Sequence, residues 1–297
     1  MSFIPKTVED LCTYWFCVHG ATHKAASSLK RDQGILKNYI FPAFGSCPLT
    51  ELHGRKISEW FVCLKQSGQI SPKSCNDVLG LFKKICNDGM KWEFLEKNPC
   101  SIVQKMKVQD QEMDFWTLEE IQQYLGFWKN RPFQPRIFWP VLIALYTGLR
   151  RGELIGLKWD CVDLTARMIT VKRTYCKVAQ QIKEETKSKK IRKIPINQLL
   201  LHHLENLQRF TSASGYVLPF IHPDSYYKEF HKTSRQAGVR PIRFHDLRHT
   251  FASHFLMGKG DIYDLKNILG HSSVQVTEKY THLVSTHLVG KTEILRY

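Results

Sequence analysis

Apolar residues recur with a helical period through the first hundred residues of the chain. They follow the i, i+3, i+4, i+7 rule in three stretches, at 8–18, 57–64 and 75–86. A fourth helix is expected at 28–40, before the turn-prone residues 41–45. Together these stretches predict a small bundle of four or five helices.

Individual residues indicate where helices of this bundle begin and where the bundle ends. On the first helix, the face expected to be buried extends from Val8 to Val18. Ser71 and Pro72 suit the N-cap and the first helical position, because serine can accept a free backbone N–H and proline has none to leave unpaired. The Asn-Pro pair at 98–99 marks the end of the bundle.

A polar stretch without periodicity follows at 104–114 and predicts a linker. A chain of 297 residues also suits two ordinary domains better than one. We therefore place a helical domain at 1–107, the linker at 108–114 and a second domain at 115–297.

Beyond the linker, the spacing of apolar residues is first typical of helices, then alternates as in a strand, and then returns to helical spacing. Thr117 and Glu120 form a capping box, and an apolar helix is expected at 137–147. Alternation around 169–171 and 194–196 predicts a small antiparallel sheet with a basic turn. Later helices are expected at 197–212, 224–237, 244–258, 261–269 and 273–282. The predicted fold is mostly α with a small antiparallel β-sheet: a helical bundle, then an α+β domain.

The balance of charge points to a polyanionic partner. Lys and Arg number 43 against 27 Asp and Glu, which gives a formal net charge of +16. The excess is present both before and after residue 107, so no single tail accounts for it. Phosphate backbones are the usual partners of such a field, since neutralising them releases condensed counterions. The charge favours a nucleic-acid partner over a soluble protein that merely has a high isoelectric point.

Composition excludes several other classes of protein. With 43% hydrophobic and 12% aromatic residues, the chain has the material for packed cores, which excludes general disorder. The longest apolar run, 137–149, is shorter than the roughly 20 residues that a bilayer requires, and the N-terminus lacks a signal-peptide pattern. The nine cysteines include no C-x-x-C pair, and we interpret them as reduced, core-filling thiols of a cytoplasmic protein.

The first candidate cluster follows the predicted apolar helix, where Gly148 interrupts the helix and Arg150 and Arg151 come next. An arginine that leaves such a break is held by a stiff frame and can direct its planar guanidinium at a phosphate. The alternative is a helix C-terminus whose dipole favours basic residues. Taken alone, the cluster favours this structural alternative.

The second cluster is His245, Asp246, Arg248 and His249. On a helix, residues three or four apart share a face, so an imidazole and a guanidinium there can bind a phosphoryl oxygen and manage a proton. One alternative is a zinc site, because the H-x-x-x-H spacing approaches a metalloprotease signature; another is a helix with ordinary surface histidines. The short Asp246 and the positive Arg248 argue against zinc, so the pattern favours a phosphate site.

The third cluster lies at a predicted helix junction. Gly270 is expected to end one helix, and Ser272 with Gln275 to form a capping box for the next. His271 lies between the two helices, a common location for an anion contact. Tyr280 follows in a polar setting. Most such tyrosines are simply half-exposed, but nearby cations that stabilise its phenolate would make Tyr280 a nucleophile.

In this order, the clusters resemble the signature of the tyrosine recombinase (phage-type integrase) family, over most of the chain. The signature is an Arg after a TGL turn, a Lys in a β-turn, an H-x-x-R helix, an LGH junction and a Tyr beyond it, and each element occurs here. Residues 38–45 and the bundle around them resemble the family's core-DNA-binding domain. The resemblance implies a SAM-like bundle followed by a tyrosine-recombinase catalytic domain.

The resemblance also implies the catalytic residues. The matching positions are Arg150, Lys187, His245, Arg248, His271 and Tyr280. Tyr280 would attack a DNA phosphodiester and form a 3′-phosphotyrosyl bond, with His245 assisting the transfer of its proton. Arg150 and Arg248 would clamp the phosphoryl oxygens, and His271 would donate a further hydrogen bond.

Two further residues follow from the same resemblance. The general acid that protonates the leaving 5′-oxygen is assigned to Lys187 by its distance from Pro195, which closes the next strand, with Lys189 and Lys190 as alternatives. Glu153, one helical turn from Arg150, is expected to orient that arginine.

The implied reaction also defines partners and cofactors. No metal or other cofactor is expected, because two guanidiniums supply the charge of a dication. Strand exchange joins two duplexes, which implies double-stranded DNA, a homotetramer assembled on it, and accessory DNA-bending proteins as candidate partners. The tail at 284–297 would dock on its own domain or on a neighbouring copy. The bundle starts so near Met1 that no arm-binding domain is expected before it.

The predicted function is that of a site-specific DNA recombinase or integrase of a mobile genetic element. One alternative is a catalytically inactive DNA-binding regulator of the same fold. A zinc hydrolase and a type IB topoisomerase are the others, and the second would share the chemistry without exchanging partners. The order and number of the motifs favour the recombinase.

Overall fold

The structure is a computed structural model that describes residues 3–20, 24–108, 113–131, 133–184, 191–219 and 222–281. The chain divides into two units, Met1–Gln111 and Glu112–Tyr297. Lys187, its alternatives Lys189 and Lys190, and the tail at 284–297 lie outside the described residues.

The first unit is built of helices, two of which continue into π-helical turns. Its α-helices are α1 (Val8–Trp15), α2 (Ala26–Ile35), α3 (Phe41–Phe44), α4 (Gly54–Gln66) and α5 (Pro72–Lys91). The π-helical turns Phe16–Gly20 and Leu36–Ile40 extend α1 and α2, and Leu49–Glu51 forms a 3-10 turn.

Sequence signals in this unit are confirmed at one helix start and wrong in two places. The Ser71 hydroxyl accepts the backbone N–H of Ser74 and so caps α5, as predicted. Residues 41–45, expected to be a turn, contain α3, because Pro42 lies in the first helical turn, where no intrahelical N–H is needed. Val18 is exposed, because the π-helical turn moves it off the face that α1 buries.

The core of the first unit joins apolar side chains of α1, α4 and α5. Trp15 is completely buried, and its indole N–H donates to the Asp88 carboxylate at 2.8 Å. A polar group that would otherwise be unsatisfied in the core is thereby paired, which fixes α1 against α5.

The second unit surrounds two small sheets with eight α-helices among its described residues. The helices are α6 (Leu118–Lys129), α7 (Phe138–Thr147), α8 (Arg151–Ile155), α9 (Gln198–Thr211), α10 (Tyr226–Gln236), α11 (Asp246–Met257), α12 (Ile262–Leu269) and α13 (Gln275–Glu278). The strands are β1 (Val162–Asp163), β2 (Met168–Val171), β3 (Thr174–Cys176), β4 (Gln181–Lys183) and β5 (Arg192–Pro195).

One sheet was predicted and the other was not. β2 pairs antiparallel with β5, and Ile169 lies opposite Ile194, as the alternating pattern predicts. β3 and β4 form a separate antiparallel pair that packs against α8. A Cβ atom on Gly152 would lie 2.6 Å from the Thr174 hydroxyl, so only glycine permits this close approach of β3 to α8.

The helix starts of this unit show which capping signals were reliable. Thr117 and Glu120 each accept the other's backbone N–H, which confirms the capping box of α6. The box expected from Ser272 and Gln275 is wrong: α13 begins at Gln275 itself and has no side-chain cap. Its glutamine therefore occupies the first position of a four-residue helix and not the third.

The main core of the second unit forms around α7, most of whose side chains are buried and which packs against α11. No helix in the described parts of the chain has the length and apolar character to cross a bilayer. All nine cysteines are free thiols. Five are buried as core residues, whereas Cys17 and Cys63 are exposed and do not fill a core.

Candidate active site

Arg150 lies at the break between α7 and α8. Gly148 ends α7 with φ at +63°, a left-handed conformation that glycine adopts without strain. The chain then extends through Arg150, whose backbone N–H and Nη1 both donate to the Glu153 carboxylate, at 2.8 and 3.0 Å. The Arg150 side chain keeps 27% of its surface exposed. This arginine is therefore held by Glu153 and still reaches solvent.

Glu153 is buried and joins Arg150 to a second arginine, Arg192 of β5. Two guanidinium nitrogens of Arg192 donate to the Glu153 carboxylate at 2.9 and 2.7 Å, and its Nε donates to the Ile268 carbonyl at 2.7 Å. Burial by itself would raise the pKa of Glu153, but Arg192 and then Arg150 lower that pKa to about 2. The ionised carboxylate thus ties α8 to β5 and to the end of α12.

Replacing Glu153 by Gln should destabilise the protein by about 3–5 kcal/mol, because it leaves the buried Arg192 charge without its partner. Urea unfolding measures this loss. The matched control is Asp224→Asn, which breaks a solvent-exposed pair with Lys177 and should leave stability nearly unchanged, because water screens exposed ion pairs. Equal losses for the two variants would show that the buried contact of Glu153 with Arg192 stabilises the fold no more than an exposed ion pair does.

The same contact predicts a pH dependence. The folded-state pKa of Glu153, about 2, lies below its ordinary value of 4.5. The ionised contact therefore stabilises the fold fully above pH 4.5, and its contribution is lost as the pH falls towards 2. The difference in unfolding free energy between wild type and Glu153→Gln should shrink across this range.

Arg248 reaches the same region from α11. It is only 3% exposed, and its Nη1 and Nη2 donate to the carbonyls of Gly148 and Leu269, at 2.7 and 2.6 Å. Those carbonyls lie at the ends of α7 and α12, where helix dipoles favour a cation. Burial, followed by the nearby charge of Arg150, lowers the pKa of Arg248 to about 9, so the side chain remains charged at neutral pH.

His245 immediately precedes α11 and does not lie within it. The residue is exposed, and its ring contacts that of His249 edge to face, with 5.2 Å between centroids. Part of the side chain is exposed, but the protein atoms packed around the ring remove some of its water. This loss of hydration, and then the Arg248 charge, lower the pKa of His245. The neighbouring Asp246 is buried, and its carboxylate accepts the backbone N–H and the guanidinium of Arg243. This pair supports the start of α11.

His271 follows directly on the end of α12. Gly270 ends that helix with φ at +67°, as predicted, and a Cβ atom there would lie 2.8 Å from Cδ of Arg192. Nδ1 of His271 lies 2.8 Å from the Thr277 hydroxyl. Burial, then the charges of Arg248 and Arg150, lower the pKa of His271 to about 3. The ring is therefore neutral at pH 7, and a neutral imidazole can donate one hydrogen bond to an anion.

Tyr280 is buried, which corrects the expectation of a polar, half-exposed setting. It is 1% exposed, and its hydroxyl lies 2.7 Å from Nδ1 of His249. Burial raises the pKa of Tyr280 to about 12, while the charges of Arg248 and Arg150 act in the opposite direction. Its apolar surroundings come from α11 and α12, which are distant in sequence: Ala252, Leu256, Leu265 and Leu269.

The two arginines of the predicted site lie close enough to its histidines and tyrosine to shift their pKa values. The charges of Arg150 and Arg248 both act on His271 and on Tyr280, and Arg248 also acts on His245. Two cations, neutral imidazoles and a phenol in one region can bind an anion and attack it with an oxygen nucleophile.

The zinc alternative finds no donor set in the parts of the chain that the structure describes. There, no three His, Cys, Asp or Glu residues come together as a metal site would require. His249, one of the two histidines weighed as a ligand, has its Nδ1 engaged with the Tyr280 hydroxyl.

Sequence reasoning missed two residues of this site. Arg192 was not considered, although a lone arginine in an alternating strand, three residues before Pro195, offered a weak signal. His249 was placed near His245 in the second cluster and considered as a zinc ligand or a surface residue, but not as a partner of Tyr280. Its contact with Tyr280 joins positions 31 residues apart, and local spacing carries no information about such a pair.

Comparison with known proteins gives this arrangement a family context. The sequence profile of the Phage integrase family matches residues 114–287, more than half of the chain. Among curated proteins, the ICEBs1 integrase of Bacillus subtilis strain 168 is 27% identical over 267 residues, which span 84% of this chain and 72% of that protein.

Solved structures show the same fold. The Tn1549 transposon integrase, in complex with a circular intermediate DNA, aligns with a TM-score of 0.81 at 21% identity, over 98% of this chain and 100% of that one. A lambda integrase, in a tetramer bound to a Holliday junction, aligns with a TM-score of 0.72 at 14% identity, over 91% of this chain and 78% of that one. The predicted fold class is confirmed.

Proposed function

Because this chain belongs to the phage integrase family of tyrosine recombinases, we propose that its second unit cleaves and rejoins DNA with Tyr280 as the nucleophile. Members of this family recombine DNA. The observation that carries the assignment is that the Arg248 guanidinium binds the carbonyl of Gly148, two residues before Arg150, and that of Leu269, which lies in the same buried cluster as Tyr280. A scissile phosphate held by these two arginines would lie where the phenolic oxygen can attack it.

The two arginines bind the phosphate and stabilise its transition state. As the Tyr280 oxygen bonds to phosphorus, negative charge grows on the non-bridging oxygens. Planar guanidiniums fixed by Glu153 and by the helix-end carbonyls offer preorganised donors to that charge. His271, neutral and held through Nδ1, donates one further hydrogen bond.

The leaving group is the 5′-oxygen of the cleaved strand, and Lys187 is its proposed general acid. Cleavage yields a 3′-phosphotyrosyl bond and a free 5′-hydroxyl, and the reverse attack by a 5′-hydroxyl of another strand rejoins DNA. The phosphotyrosyl bond retains the free energy of the broken phosphodiester, so religation requires no nucleotide cofactor.

Exchange between two duplexes requires four nucleophiles, so we assign the active assembly as a tetramer on two double-stranded DNA sites. The similar lambda integrase was solved as a tetramer on a Holliday junction, and the similar Tn1549 integrase with DNA, which supports this assembly. The net charge of +16 supplies the general attraction to the phosphate backbone.

A nicked suicide substrate tests the proposed function. Loss of a short 5′-hydroxyl fragment after cleavage traps the covalent intermediate, and we expect a protein–DNA adduct on a denaturing gel, formed equally well in EDTA. DNA binding without any adduct would instead identify a catalytically inactive regulator. An adduct that EDTA abolishes would revive the metal-dependent alternative at His245 and His249.

A further inference from the structure

The hydroxyl of Tyr280 has a defined partner that the proposed mechanism has not used. Its oxygen lies 2.7 Å from Nδ1 of His249, a hydrogen-bond distance, and the two ring centroids are 5.6 Å apart. Tyr280 is 1% and His249 7% exposed, so water scarcely competes for this contact. In the tautomer of His249 that is protonated on Nε2, the Tyr280 hydroxyl donates to Nδ1, so the proton that Tyr280 must lose faces a nitrogen base.

Both members of the pair are held by packed elements. His249 lies in the first turns of α11, where the side chain of the next residue, Thr250, accepts the backbone N–H of Trp116. The Tyr280 ring packs into the apolar cluster of α11 and α12. The hydrogen bond is therefore set by the fold and not by two mobile surface side chains.

The imidazole of His249 is in the protonation state that a base requires. Burial, followed by the charge of Lys279, lowers the pKa of His249 to about 4, so the ring is neutral at pH 7. A phosphate anion bound beside Arg248 would favour the imidazolium and so raise that pKa. The ring would thus become a stronger base when substrate is present.

We propose that His249 is a catalytic residue, which holds the Tyr280 hydroxyl and accepts its proton as the phenolic oxygen attacks the scissile phosphate. This inference rests on the proposed function of Tyr280. The sequence predicts that His245 assists the transfer of the Tyr280 proton. In the structure His249 contacts the Tyr280 hydroxyl, and the exposed His245 contacts the ring of His249.

In the proposed step, proton transfer to His249 accompanies phosphoryl transfer to Tyr280. The Tyr280 O–H bond breaks and its proton passes to Nδ1 of His249, while the oxygen forms a bond to phosphorus. The bond from phosphorus to the 5′-oxygen breaks, and the leaving oxygen takes a different proton, from the general acid assigned to Lys187. In religation, the His249 imidazolium returns its proton to the phenolate.

The variant His249→Asn tests the step, because the Asn amide can keep a hydrogen bond to the hydroxyl but cannot take up its proton. We expect unchanged DNA binding and adduct formation slowed by about 10²-fold or more on a nicked substrate. The matched control is His254→Gln on the same helix. His254 contacts the Trp116 carbonyl and the Phe115 ring, neither of which belongs to the site, so this variant should react at the wild-type rate.

Two chemical substitutions separate proton uptake from other roles. A DNA substrate with sulfur in place of the 5′-bridging oxygen needs no protonation of its leaving group, so it should rescue Lys187→Ala but not His249→Asn. A ring-fluorinated tyrosine at 280 ionises more readily, so it should accelerate His249→Asn far more than wild type. Failure of the sulfur substrate to rescue His249→Asn excludes a role in leaving-group protonation. A purely structural role would also give no rescue, but fluorination would then change the rates of the variant and the wild type equally.

Three results would overturn the inference. They are a wild-type rate for His249→Asn, full rescue of that variant by the sulfur substrate, and equal effects of fluorination on variant and wild type. In each case a wild-type adduct at Tyr280 would leave the proposed function intact. Absence of that adduct from the wild-type protein would overturn the proposed function itself.

Discussion

Replacing Tyr280 by Phe is expected to abolish covalent attachment to DNA while leaving DNA binding unchanged. The substitution removes only the hydroxyl, and the ring keeps its place in the apolar cluster of α11 and α12. A nicked substrate and a denaturing gel measure the adduct, and a mobility-shift titration measures binding.

The matched control for this prediction is Tyr263→Phe. Tyr263 lies in α12 and is 62% exposed, so loss of its hydroxyl should leave adduct formation at the wild-type level. An adduct formed by Tyr280→Phe would show that another residue is the nucleophile, and the functional assignment of the site would be wrong.

Replacing Arg248 by Ala should reduce the rate of DNA cleavage by about 10²-fold or more and should change the affinity for DNA far less. Its guanidinium is buried beside Arg150 and would face the phosphoryl oxygens as charge develops on them. Binding depends instead on many basic residues, because the chain carries 43 of them. Single-turnover cleavage at saturating protein measures the chemical step alone.

Arg248→Ala also removes the donors to two helix-end carbonyls, which can destabilise the fold. Arg150→Ala therefore serves as a second test of the same prediction. Arg150→Ala removes a partly exposed guanidinium and should give a comparable loss of rate. The control is Arg209→Ala, an exposed residue of α9. Wild-type cleavage rates for Arg150→Ala and for a folded Arg248→Ala would exclude the two arginines from catalysis.

Signals confined to a few neighbouring residues predicted much of the fold. The caps at Ser71 and Thr117, the left-handed glycines after α7 and α12, and the pairing of β2 with β5 depend on side chains within one turn or on simple alternation. The same short range explains the errors. The exposure of Val18 depends on a π-helical turn that apolar spacing does not reveal.

The site was predicted as a set of residues but not as a set of contacts. Motif order placed Arg150, Arg248, His271 and Tyr280 in one candidate site, yet it could not show that Tyr280 is buried. The pairing of Arg192 with Glu153 spans 39 positions, and that of His249 with Tyr280 spans 31. Such contacts arise from the packing of helices and strands remote in sequence, so they became visible only in the folded chain.

Identifying the residue that carries DNA in the covalent adduct separates Tyr280 from every other possible nucleophile. The trapped adduct can be digested with nuclease and trypsin, and the peptide that retains a nucleotide can be sequenced by mass spectrometry. Cleavage after Lys279 releases a peptide that begins with Tyr280 and contains no other tyrosine before the next tryptic site at Lys291. We expect a 3′-linked nucleotide on Tyr280, and a nucleotide on any other residue would show that Tyr280 is not the nucleophile.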